Sequence, residues 1–167
     1  AGRAAIGRGK PAGHMLQLII RLIPAPVHRA LLPIAYRLRH RWRCWRKLPI
    51  TGCNVIVTDL QGSILLLKHS YGPDHWCLPG GGVERGEEPL AAAQRELHEE
   101  LGLDPPRMRA LGSIEGEISA SPHTMHLFAA TIDRHPRPDL REVVEARFFP
   151  GHSLPDPISA GTRRALE

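Results

Sequence analysis

The sequence predicts an α+β domain behind a basic, helical N-terminal arm, and three observations lead there. The hydrophobic period changes at Pro49, from short amphipathic helical stretches to runs rich in Val, Ile and Leu. Strand-like and helix-like segments then alternate without regular βαβ units or an internal repeat. Charge is split along the chain: 11 of the 22 lysines and arginines, and none of the 17 acids, lie in residues 1–47. The net charge of +5 therefore combines a strongly cationic arm with an acidic remainder. At 167 residues the chain is long enough for one domain, residues 48–167, plus the extension, residues 1–47.

In the arm, residues 1–14 are Gly, Ala and basic without periodicity, which predicts disorder. Met15 is a candidate natural start. Residues 15–47 predict amphipathic helices broken by Pro24, Pro26 and Pro33. Arg21 and Arg29 keep any apolar run short of the roughly 20 residues a spanning helix needs. The stretch from Arg37 to Lys47 interleaves cations with Trp42 and Trp45. Three readings fit it: a helix packed on the domain with a solvated basic face, contact with a membrane surface, or contact with RNA. Cys44, Cys53 and Cys77 form no CxxC pair and no secretory disulfide pattern, so a reducing, cytoplasmic location is expected, with peripheral membrane association through the arm as a further expectation.

Beyond Pro49, Gly52–Asp59 and Ser63–His69 predict a β-hairpin turned at Leu60-Gln61-Gly62. A loop from Ser70 to His75 leads to a glycine-rich turn. Pro89 suits a first helical position and Gly102 a C-terminal cap, so a helix is expected over Pro89–Leu101. Leu90, Ala93, Leu97 and Leu101 form its apolar stripe, about 100° round from the acids, with Ala91 and His98 in solvent. Met108–Ile118 and His123–Ile132 predict two further strands around a loop at Ser119–Pro122, and Ala146–Phe149 a short one. Ser159 is placed to cap a last helix ending at Leu166.

The chemistry concentrates in the first helix. Glu96, Glu99 and Glu100 stand at i, i+3 and i+4, so their carboxylates crowd together and repel. Glu84, Glu87 and Glu88 add negative charge before it, and the glycines at 80–82 allow close backbone approach to a ligand. An all-oxygen cluster of this kind suits Mg²⁺, with Mn²⁺ as an alternative, better than zinc. Such an ion completes its shell with water and substrate phosphates, which points to phosphate chemistry.

Gly81, five residues, Glu87, seven residues, Arg95-Glu96-Leu97, one residue, Glu99-Glu100, one residue, Gly102-Leu103: this spacing resembles the complete signature of the Nudix (MutT-like) hydrolases. All its fixed positions would coincide by chance at roughly 10⁻⁹ to 10⁻¹⁰ per start site, so the signal is specific. The approach Trp76-Cys77-Leu78-Pro79-Gly80 is also similar to the family's entry to its motif. The resemblance runs from about Ile50 to the C-terminus. It implies a mixed β-sheet sandwiched between α-helices, and it implies divalent metal held by Glu96, Glu99 and Glu100 with the backbone carbonyl of Gly80. It further implies that Arg95 orients a carboxylate, with Glu87 as a structural partner.

The activity implied is Mg²⁺-dependent hydrolysis of a diphosphate linkage in a small nucleoside diphosphate derivative, by attack of water on phosphorus. Glu99 or Glu96 within the signature could serve as the base, but the resemblance also implies a glutamate from a later loop, for which Glu115, Glu117, Glu142 and Glu145 are available, with Glu145 favoured for its place just before a strand. Gly81, Gly82, His75 and Trp76 are candidate substrate contacts, Trp76 by stacking or else as core filler. His123 and His126 are three apart on a strand and face opposite ways. The chain lacks the proline, the tyrosine and the SQPWPFPxS-like segment that mark ADP-ribose, dinucleoside polyphosphate and NADH hydrolases. Two other readings stand beside this one: a non-catalytic Nudix-fold module that binds nucleotides, and an enzyme acting on RNA 5′ ends with the arm gripping phosphates.

Overall fold

The structure, a computed structural model, describes residues 49–118 and 121–167 together with Val27, Leu31 and Ile34, and of Ile118 the backbone alone. The disorder expected for residues 1–14 and the helices expected over 15–47 fall outside the described residues, except that Val27, Leu31 and Ile34 are each helical.

Six strands form one mixed sheet: β1 (Ile50–Thr58), β2 (Ile64–His69), β3 (Gly80–Gly82), β4 (Arg109–Ile118), β5 (Ser121–Thr131) and β6 (Val143–Phe149). The spatial order is β4-β5-β1-β2-β6, with β3 added beside β1. The β1–β2 hairpin closes because Asp59 Oδ1 accepts from the Gln61 and Ser63 N–H groups at 2.9 and 2.8 Å, while Gly62 takes φ 81°. β1 and β5 run parallel from Ile50/His123 to Thr58/Thr131. On its other edge β1 pairs with β2 only at Thr58/Ile64 and with β3 from Gly52/Gly82 to Asn54/Gly80. The sheet therefore splays between β2 and β3, and the segment Trp76–Pro79 fills the gap: Cys77 exchanges backbone hydrogen bonds with Leu67 at 2.9 Å and Pro79 O accepts from Val55 N at 2.9 Å.

Alternation along the strands sends side chains to two cores. Val55, Val57, Leu65 and Leu67 pack on one face against Ala92, Ala93, Leu97 and Leu101 of helix α1 (Pro89–Leu101). Leu66 and Ile56 face the other way, with Trp76, Leu78 and Phe149, beneath helix α2 (Ala160–Leu166). One helix on each face gives the sandwich that the sequence implied.

Most differences from the sequence reading lie at element ends. β1 begins at Ile50, β5 at Ser121 and β6 at Val143 rather than Ala146, and the glycine-rich turn contains strand β3. The stripe on α1 is also rotated: Leu90 is exposed, whereas Ala92 and Glu100 are buried with Ala93, Leu97 and Leu101. The helix presents a face centred near Ala93 and Glu100, so one carboxylate points into the protein, not sideways.

Candidate active site

Helix α1 is fixed at both ends by local chemistry. Pro89 opens it, and Gly102 closes it at φ 63° with its N–H donating to the His98 carbonyl at 2.9 Å. Its acidic face meets β3, where side chains have no room. A Cβ at Gly80 would lie 2.1 Å from the Cys53 carbonyl oxygen, and one at Gly81 2.5 Å from the Glu96 carboxylate carbon. The glycines therefore let sheet and helix close until Gly80 N–H donates to Glu100 Oε2 at 3.2 Å.

Arg95 is the cation of this cluster. Its guanidinium grips Glu87 with Nε to Oε1 at 3.0 Å and Nη2 to Oε2 at 3.1 Å. Nη1 reaches Glu96 Oε1 at 2.8 Å and Glu99 Oε2 at 3.4 Å, and Nη2 also donates to the Gly82 carbonyl at 3.0 Å. Glu87 in turn accepts from Glu84 N–H at 2.9 Å, which ties the loop before α1 to its acidic face. Arginine hydrogen bonds hold the Glu87 carboxyl below its usual range and push the Arg95 guanidinium up.

Glu96 and Glu100 behave in the opposite way. Burial raises the Glu96 carboxyl above its usual range despite Arg95, with Glu99 and Glu142 repelling it further. Burial raises Glu100 well above that range, and Glu96, Glu142 and Asp139 add to the rise against the Gly80 N–H. At 6% exposure Glu100 is a carboxylate with water excluded and like charges around it. Ionising it there is costly unless a cation arrives.

Glu142 comes from the segment before β6. Asp139 Oδ1 accepts from the N–H groups of Arg141, Glu142 and Val143 at 3.1, 3.1 and 2.9 Å, and Leu140 takes φ 56° to make the turn. Arg137 and Asp139 N–H groups donate to the Leu101 and Glu100 carbonyls at 2.8 and 3.0 Å. On the other side Ser70 N–H donates to the Glu142 carbonyl at 2.8 Å, Ser70 Oγ to the Arg141 carbonyl at 2.7 Å, and Tyr71 O–H to Glu142 Oε2 at 3.5 Å. This segment straps the C-terminal end of α1 to the end of β2 and delivers Glu142 beside Glu96 and Glu100.

The other candidate bases outside the signature are elsewhere. Glu145 pairs with Arg147 at 2.7 Å, Glu115 accepts from Thr124 Oγ1 at 2.8 Å, and Glu117 is exposed. Of the two readings of Trp76, its surroundings are those of core filler: its ring is buried on the α2 side of the sheet, edge-on to Phe149 at 4.8 Å. His75 is half-buried in the loop after β2, and Gly82, next to the Arg95 contact, is open to a ligand. The favoured Glu145 and the less favoured Glu142 differ in one respect the sequence does carry, an aspartate three residues ahead of Glu142 that can fold the backbone into a turn.

Among the described residues no three His, Cys, Asp or Glu side chains are grouped closely enough to hold a metal ion on their own. The donors still suit a hard divalent ion. They are all oxygens, and magnesium is ordinarily held by one or two carboxylates with water and substrate completing the shell.

The NUDIX domain family model matches residues 49–167. Among curated proteins, diphosphoinositol polyphosphate phosphohydrolase 2 of Rattus norvegicus is 36% identical over 81 residues, covering 48% of this chain and 44% of that protein. The chain thus spans about half the length of the curated relatives it matches. Among solved structures, a MutT NUDIX hydrolase from Burkholderia pseudomallei is 30% identical, with a TM-score of 0.64 over 71% of this chain and 95% of that one. A MutT protein from Methanosarcina mazei Go1 shares the fold at 20% identity, with a TM-score of 0.65 over 72% and 92% of the two chains. A motif that spans the loop and helix α1, a mixed sheet between two helices, and a family match across the whole described sheet make this chain a member of the Nudix family.

Proposed function

We propose that the protein is a divalent-cation-dependent hydrolase that breaks a diphosphate linkage in a small nucleoside diphosphate derivative. One observation carries the reading: Glu100 is buried with its Oε2 against the Gly80 N–H, and burial and the charges of Glu96 and Glu142 oppose its ionisation. A fold gains no stability from such a cluster, and a bound cation relieves it.

Glu96, Glu99 and Glu100 would hold the ion, with the Gly80 carbonyl as a further oxygen. When bound, Mg²⁺ or Mn²⁺ neutralises phosphate charge and makes water more acidic. The chain's own residues supply the rest. Arg95, locked by Glu87, fixes the orientation of Glu96 and Glu99. The Gly81–Gly82 backbone leaves space for an anionic substrate above β3. Glu142, held at one oxygen by Tyr71 O–H, takes the proton of the attacking water at its carboxylate as the water oxygen bonds to phosphorus. The bridging oxygen then leaves with the second phosphate, giving two phosphate-bearing products.

The named curated relative is a phosphohydrolase of diphosphoinositol polyphosphates, whose diphosphate sits on a polyol instead of a nucleoside. The test is a Mg²⁺-supplemented panel of nucleoside diphosphate derivatives, dinucleotides, capped RNA and diphosphorylated inositols, with product identification. The proposal expects metal-dependent cleavage between two phosphorus atoms, lowered roughly 10²- to 10⁴-fold by Glu142→Gln, the range of general-base catalysis. No metal-dependent turnover on any member would leave a binding module as the better reading.

A further inference from the structure

We propose that His69 is a positioning residue, its ring stacked on Tyr71 so that the phenol O–H is aimed at Glu142. The inference rests on the reading of Glu142 as the group that takes the proton of the attacking water. His69 closes β2, where alternation places it after Leu65 and Leu67 on the face that α1 covers. Its ring lies 5.1 Å from that of Tyr71, centroid to centroid, with 30° between the planes, which makes a stacked pair. Tyr71 O–H donates to Glu142 Oε2 at 3.5 Å. That bond is long, as catalytic hydrogen bonds often are before substrate binds, and a phenol braced by a second ring keeps its direction while the bond tightens.

The strand pairing brings these parts together. Lys68 stands opposite Glu145, but His69 stands opposite Val143, so Val144 is skipped. An irregularity of this kind re-aims side chains and is common beside active sites. Without it Ser70 would face Val143; with it Ser70 faces Glu142 and donates from its N–H to the Glu142 carbonyl at 2.8 Å. Ser70 thereby fixes the backbone of Glu142, and Tyr71 its carboxylate. His69 acts on Tyr71 through the face of its ring, because among the described residues its buried Nδ1 has no hydrogen-bond partner. Burial also pulls the imidazole below its ordinary value; the Glu142 carbonyl and Asp139 oppose the fall, and His75 adds to it. A neutral ring puts no fixed cation beside the Glu142 segment to draw the carboxylate away from Tyr71.

The test measures Mg²⁺-dependent turnover of the full chain carrying His69→Ala, His69→Phe or Tyr71→Phe, each alone and together with Glu142→Gln. The expected result is a kcat about tenfold lower at unchanged KM in His69→Ala and Tyr71→Phe, with His69→Phe restoring the stack and close to the parent. Combined with Glu142→Gln, none should cost anything further, since groups that act through one another are not additive. A thermal midpoint no lower than the parent's in His69→Phe and Tyr71→Phe separates positioning from folding. The geometry is also read without turnover: the chain has two tyrosines, Tyr36 and Tyr71, and in ring-labelled protein the Tyr71 signals should lose their ring-current shift in His69→Ala and keep it in His69→Phe. Losses that multiply between His69→Ala and Glu142→Gln, a His69→Phe as slow as His69→Ala, or Tyr71 signals unmoved in His69→Ala would each overturn the proposal. A fully active His69→Ala beside a slow Glu142→Gln would overturn the positioning role alone, whereas a fully active Glu142→Gln would overturn the reading of Glu142 as the base and the proposal with it.

Discussion

Two buried polar side chains, one on each face of the sheet, show what separates structural polarity from functional polarity in this fold. Thr162 in α2 is 1% exposed, and every nearby group suits it. Its Oγ1 accepts from Leu78 N–H at 3.0 Å and from Ser159 Oγ at 2.8 Å, and its N–H donates to Ser159 Oγ at 3.0 Å. That network caps α2 and pins it to the strand-filling segment. Glu100 in α1 is 6% exposed and faces other carboxylates, with Gly80 N–H as a partial counterweight. A buried polar group that is satisfied serves the fold, whereas one that is crowded by like charge is a candidate for binding a cation.

Replacements on the two faces should therefore move different observables. Glu100→Gln is expected to lower metal-dependent turnover by roughly 10³-fold, as a lost metal ligand would, yet to raise the metal-free thermal midpoint because a buried repulsion disappears. Differential scanning calorimetry beside a turnover assay reads both, and a fall in the midpoint would sink the contrast. Gly81→Ala forces the Glu96 carboxylate to move, since the added Cβ would sit 2.5 Å from its carbon. Displacing a reacting or ligating group by about 1 Å costs on the order of 10²-fold in rate, and the measure is kcat/KM at an unchanged thermal midpoint.

Thr162→Val should do the reverse. Leaving Leu78 N–H buried and unpaired costs about 1–3 kcal/mol in urea denaturation, with kcat/KM unaltered. The smallest effect is in pH dependence. Because Glu96 and Glu100 bind protons more tightly folded than unfolded, metal-free stability should fall as pH rises above the ordinary value of 4.5 and through their raised values. Glu87 acts oppositely: its contribution is present above 4.5 and is lost as pH falls through its lowered value. Urea midpoints of the metal-free protein across that range should decline towards neutrality, and saturating Mg²⁺ should remove the decline.

The sequence disclosed helix α1 to the residue at both ends, because a proline and a glycine act locally there. The Ser159 cap of α2 was legible for the same reason, its side chain accepting from Thr162 N–H. What it concealed depends on partners distant along the chain. The parallel pairing of β1 with β5 is set by contacts between residues about 73 positions apart, as Thr58 and Thr131 show. Leu90 carries the same local signal as Leu97, but only the sheet's position decides that Ala92 and Glu100 are covered and Leu90 is not. In sequence Glu145 reads as the residue just before a strand, but β6 begins at Val143, directly after Glu142. The Asp139 turn and the Ser70 and Tyr71 bonds bring Glu142 to α1, while Glu145 turns to Arg147.

The account rests on Glu96, Glu99 and Glu100 sharing a cation, and calorimetric titration of Mn²⁺ into the full chain, in two buffers of different ionisation enthalpy, measures that directly. The expected result is saturable binding accompanied by proton release, because raised carboxyls must ionise to bind, with affinity falling at least about tenfold in Glu100→Gln. Absence of saturable binding, with and without a nucleoside diphosphate analogue, or equal binding by Glu100→Gln, would contradict it.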